Sequence, residues 1–94
     1  MATVYILKSA SKDKYYIGSC QNLEGRVEQH RIGKFATAYT RIAIDWTIFY
    51  AIEGLSYEQA RKIEGHFKRM KSRKYLQDLK RYPEIAEKLR LQYP

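Results

Sequence analysis

Residues 15–30 read YYIGSCQNLEGRVEQH, and this stretch organises the chain. Tyr15-Tyr16-Ile17 is an aromatic and β-branched run closed by Gly18, which predicts a strand that stops abruptly. Gln21-Asn22 supplies a polar joint with Asn22 as a helix cap, and Leu23 to His30 reads as an amphipathic helix. Leu23, Arg26, Val27 and His30 stand at i, i+3, i+4 and i+7, so all four share one face. The Arg26 guanidinium and the His30 imidazole are therefore placed beside the apolar seam that presses on a sheet. Residues kept only for solubility belong on the opposite side.

Upstream, Thr3-Val4-Tyr5-Ile6-Leu7 is a compact strand signal, and Ser9 to Lys14 is turn-like with Lys12-Asp13-Lys14 at its tip. The two strands make an antiparallel hairpin in which Tyr5 and Tyr16 project on a common face, in a register that sequence cannot specify. Downstream, Gly33 marks the helix exit, and residues 35–41 read as a loop with a basic end. Asp45 to Ile52 is a third strand, apolar on both faces as expected of one buried on two sides, ended by Gly54. Ser56 and Gln59 fit a capping box for a helix running to about Met70, with Ala60, Ile63, Phe67 and Met70 as its apolar stripe. Ser72 caps a short helix with Tyr75, Leu76 and Leu79 inward. Pro83 suits the first turn of a last helix with Ile85, Ala86 and Leu89 inward. The order β-β-α-β-α-α-α describes an α+β fold, a small antiparallel sheet flanked by helices. Residues 1–94 read as one domain with a short C-terminal helical extension.

Glu64 sits inside the apolar stripe of the helix after Ser56, while Glu58 and Lys62 face outward. A buried unpaired carboxylate costs several kcal/mol, so Glu64 needs a partner. Two partners fit: an arginine of another element in a salt bridge, or a metal ion at the edge of a cleft.

The chain has 94 residues, with 18 Lys and Arg against 10 Asp and Glu, a formal charge of +8. On so short a chain this favours a polyanionic partner, most simply nucleic acid, and nine tyrosines add aromatic surface suited to nucleotides. From Arg61 to Arg81 there are nine cations against Glu64 and Asp78. Lys68, Arg69, Lys71, Arg73 and Lys74 form the centre of this tract. Part of it is a solvated helical face, and the rest reads as a rail guiding a nucleic-acid backbone. Cys20 is the only cysteine and reads as a buried spectator thiol in a reducing compartment. Cys20, His30 and His66 lack the paired spacing of a zinc site. The N-terminus has no long apolar run, so no signal peptide or membrane contact is expected, and the expected location is cytoplasmic.

Two tyrosine motifs on adjacent strands, followed by an arginine helix and a glutamate helix, resemble the GIY-YIG nuclease domain. The motifs stand here as Val4-Tyr5-Ile6 and Tyr16-Ile17-Gly18. The family's arginine matches Arg26, the histidine one turn later matches His30, and the metal-binding glutamate matches Glu64 in ARKIEGHFKRMKSRKY. The resemblance runs from Val4 to about Leu79 and is closest to small stand-alone bacterial members. A lone YIG is unspecific; the ordered set of five is not. Valine replaces the first motif's glycine, Ser19 stands where some members have lysine, and no asparagine follows Glu64.

The resemblance implies a three-stranded sheet flanked by helices. It also implies hydrolysis of DNA phosphodiesters with one divalent ion, usually magnesium, with manganese as an alternative. In that scheme Glu64 anchors the ion, Arg26 grips the scissile phosphate, and Tyr5 is the general base. Tyr16 and His30 position the water or the base, and their roles are exchangeable with that of Tyr5. Tyr39, in the loop before the third strand, is a candidate for lining the same cleft. An unperturbed tyrosine titrates at about 10, so a phenol acting as base near neutrality needs cations close by. The implied substrate is DNA, branched or damaged, with RNA left open and a protein partner supplying specificity. Two other readings compete: a nucleic-acid-binding module without cleavage, and an accessory subunit of a DNA repair or recombination complex. The intact tyrosine, arginine and glutamate set favours the enzyme.

Overall fold

A computed structural model describes residues 1–21, 45–70 and 72–94. They form β1 (Ala2–Ser9), β2 (Lys14–Cys20), β3 (Trp46–Leu55), α1 (Tyr57–Met70), α2 (Arg73–Arg81) and α3 (Glu84–Gln92). The helix expected over Leu23–His30, with Arg26 and His30, and the loop with Tyr39 lie outside the described residues. So does Lys71.

The strands make one antiparallel sheet in the order β2-β1-β3. β1 is therefore the centre, and Val4, Tyr5, Ile6 and Leu7 are all buried. Side chains alternate along it. Val4 and Ile6 face a core made with Ile52, Leu55, Ala60, Ile63, Phe67, Leu76, Leu79 and Leu89. Tyr5 and Leu7 face a second cluster with Cys20 and Trp46, against which Tyr16 and Ala51 pack. Cys20 is buried, as expected of a spectator thiol.

Three boundaries differ from the sequence reading. β2 does not stop at Gly18 but continues to Cys20, with Gly18 paired to Tyr5. β3 is an edge strand, not one buried on both faces: Ile48 is 47% exposed, and only Trp46, Ile52 and Leu55 are buried. An apolar run reports that a strand is sticky, not where in the sheet it lies. β3 also runs through Gly54 to Leu55, the glycine adopting the left-handed φ of 72° that a side chain would resist.

The helices follow their local signals. The Ser56 hydroxyl accepts from the Gln59 amide at 3.1 Å, while the Gln59 side-chain oxygen accepts from the Ser56 amide at 3.3 Å, a reciprocal capping box. Ser72 caps α2 by accepting from the Tyr75 amide at 3.2 Å. Ala60, Ile63 and Phe67 are buried as expected, but Met70, at the end of α1, is exposed. α3 is pinned by buried Leu89, by the Arg90 guanidinium donating to the Glu53 carbonyl at 2.7 Å, and by His66. The two His66 nitrogens meet the hydroxyls of Tyr75 at 3.0 Å and Tyr93 at 3.2 Å. Burial, reinforced by the nearby Arg69 charge, lowers the His66 pKa.

The hairpin turn is held from two sides. Asp13 takes a φ of 52° at its tip, and its carboxylate accepts from Arg73 at 2.8 Å. Buried Ser9 donates to Asp45 at 2.6 Å, and the Ser11 amide donates to the same carboxylate at 2.9 Å. These hydrogen bonds, led by Ser9, favour the ionised form and lower the Asp45 pKa to about 2. The sign follows: stability from this clamp is complete above the unfolded value of about 4 and is lost as pH falls toward 2. Asp45→Asn is expected to flatten that part of the acid limb in urea midpoints measured from pH 5 to pH 2. An unchanged limb would show that Asp45 contributes nothing to it.

Candidate active site

Tyr5 and Tyr16 come together because of the hairpin register. Tyr16 pairs with Leu7, and Gly18 pairs with Tyr5, so the phenols are diagonal neighbours on one face. Their ring centroids are 6.4 Å apart, and Tyr16 meets Trp46 edge-on at 6.5 Å. Tyr5 is 1% exposed and Tyr16 is half-buried. The expected common face is therefore observed.

Gly18 makes this arrangement possible. A Cβ placed on it would lie 2.5 Å from the Tyr5 hydroxyl oxygen and 2.7 Å from the ring carbon that bears it. The phenol lies directly across the backbone of β2, where any side chain would push it away. Gly18 is not needed for a left-handed backbone, since among described glycines only Gly54 has positive φ.

One residue further, Ser19 alternates to the other face of β2, opposite Val4 and toward α1. Its hydroxyl donates to Glu64 Oε1 at 2.6 Å. Lys68, one helical turn after Glu64, places its ammonium 2.7 Å from Oε2. Among the described residues, Glu64 is thus paired with Lys68 of its own helix and with Ser19 of β2. The carboxylate side chain keeps 21% exposure. Consecutive β2 residues, Gly18 and Ser19, thereby connect the tyrosine pair to the acid.

Both partners of Glu64 were legible in principle: Lys68 by its i, i+4 spacing, and Ser19 by the alternation Tyr15, Ile17, Ser19. Within the basic tract, Lys68, Arg69, Arg73 and Lys74 are exposed, but two of them have acidic partners, Glu64 for Lys68 and Asp13 for Arg73.

The donors at Glu64 suit a hard divalent cation: a carboxylate and a hydroxyl, both oxygen and both partly exposed to water. Among the described residues no group of three or more His, Cys, Asp or Glu is gathered. Magnesium keeps several waters and uses one or two protein carboxylates, so a single acid is enough. The Lys68 ammonium already occupies a cation position there. With the Lys68 side chain 54% exposed, solvent screens the pair to about 1 kcal/mol and leaves the ammonium exchangeable.

Among the described residues no helix is long and apolar enough to cross a membrane. The family model for the GIY-YIG catalytic domain matches residues 1–77, which includes every element up to most of α2 and leaves α3 beyond it. No curated protein and no solved structure matches the chain significantly. The tyrosine pair on β1 and β2, the acid of α1 fastened to the other face of β2 and the match over most of the chain lead to one conclusion: this protein belongs to the GIY-YIG nuclease family.

Proposed function

We propose that the protein is an endonuclease that hydrolyses phosphodiester bonds in DNA with the help of a divalent cation held at Glu64, magnesium being the natural choice. The observation that carries this reading is the fastening of Glu64 to Ser19, one residue from the glycine over which the Tyr5 hydroxyl lies. A cation bound there would offset charge on the leaving oxygen.

The chain's own residues supply the rest. One of the two adjacent tyrosines, Tyr5 by the resemblance, takes the proton of the attacking water as its phenolate, a form that the Arg26 charge would favour, and the other holds that ring in place. Arg26 grips the scissile phosphate with its planar fork, and His30 orients the water or the base. Ser19 fixes Oε1 of Glu64, and this carboxylate would hold the cation once Lys68 gives way. The exposed cations of α1 and α2 hold the DNA backbone by charge, without reading sequence.

The test is a panel of duplex, flap, fork and single-stranded DNAs incubated with magnesium, manganese or calcium. Nicking of branched DNA is expected with magnesium, and binding should fall steeply with added salt. Salt-independent binding and no cleavage of any substrate would favour an accessory subunit docking on another protein instead.

A further inference from the structure

A cavity of about 530 Å³ opens between the outer edge of β2 and the α1–α2 pair, a size typical of small-molecule pockets at ~300–1,000 Å³. Ile17, Phe67 and Leu76 make its apolar floor, and Lys14, Lys68 and Arg73 its rim. The described lining contains no acid. Tyr15 stands in the wall, with the Arg73 guanidinium 5.6 Å from its ring centroid. Asp13 holds that guanidinium through its carboxylate and its carbonyl, so the charged plane is oriented before any ligand arrives. The cavity also touches the site, because Lys68 belongs to both and Tyr16 lines the wall.

We infer that this cavity receives the base of an unpaired nucleotide on the DNA strand being cut, its phosphates lying on Lys14 and Lys68. The inference rests on the nuclease reading above and names its substrate class. An apolar floor with a flat cationic wall suits a nucleobase, which stacks on aromatic rings and on arginine planes alike. A rim of cations suits the phosphates on either side of it. A base inside a duplex is stacked and paired and enters such a pocket only at the cost of extrusion; a flap, gap or bulge presents one with that cost already met. Preference for branched DNA then follows from a pocket beside the scissile position, with no recognition of sequence.

The experiment uses the Glu64→Ala protein, which is expected to bind without cutting. Its affinity is measured for two duplexes that differ only by one unpaired thymidine at a junction, with 5-iodouracil at that position for photo-crosslinking. The unpaired base is expected to tighten binding about tenfold, in line with stacking of a single base. The crosslink should map to the peptide bearing Tyr15. Arg73→Lys, which keeps the charge and loses the plane, and Leu76→Phe, which fills the floor, should each reduce the preference below about threefold. Equal affinity for the two duplexes, a crosslink elsewhere, or a preference kept in both variants overturns the inference. If the wild-type protein nicks paired DNA yet shows no such preference, the pocket assignment alone fails. If it neither binds nor cuts DNA, the nuclease reading fails with it.

Discussion

Glu64→Ala is expected to lower DNA cleavage at least ~10²–10³-fold, the scale seen when one transition-state charge stabiliser is removed, while DNA binding persists. Removing the carboxylate deletes the proposed anchor for the divalent ion. It also releases the Lys68 ammonium, now held at 2.7 Å, to meet phosphate. Affinity should therefore hold or rise slightly even as turnover collapses. Loss of fold is not the cause to expect: the Lys68 side chain is 54% exposed, and solvent screening holds the Glu64–Lys68 pair to about 1 kcal/mol. The Ser19 hydroxyl can turn to water. Single-turnover nicking and equilibrium binding measured on the same preparation decide the matter. Equal cleavage by variant and wild type would trace the activity to a contaminant and remove the enzyme reading.

The second large effect is expected at a residue with no side chain. Gly18→Ala should slow cleavage about 100-fold, because misplacing a reacting group by an ångström is enough for that loss. The new methyl would need the space 2.5 Å from the Tyr5 hydroxyl, and Tyr5 is buried among Leu7, Cys20 and Trp46 with little room to swing. Overpacking of this kind costs about 1–3 kcal/mol, and each kcal/mol lowers the midpoint of a domain this size by about 4–8 °C. Tyr5→Phe in the Gly18→Ala background should recover part of the midpoint and none of the rate. That split separates a packing fault from a catalytic one. A Gly18→Ala protein with wild-type rate and midpoint would show that the phenol does not lie across β2.

The carboxylate and the glycine illustrate how far the residues could be read in order. Periodicity identified Glu64 as an acid within an apolar stripe, and desolvation demanded a partner for it. Among the described residues its partners are two and partly local, because Lys68 lies one turn away while Ser19 arrives from a strand 45 residues earlier in the chain. The tract of cations was equally visible as charge. That Arg73 would brace the hairpin tip through Asp13, 60 residues away, was not.

Local chemistry by itself determined the elements with strong periodicity or explicit end signals: β1, the hairpin, the Ser56–Gln59 capping box, the Ser72 cap and the inward faces of the helices. These depend on neighbours within about one turn or one strand pair, so the residues that specify them are adjacent in the chain. Only the tertiary structure decided that β1 is central and β3 an edge, that β2 passes through Gly18, and which atoms hold Glu64. Strand order and side-chain partnership are set by which distant surfaces cover one another, and an apolar run or a lone carboxylate is compatible with many such coverings.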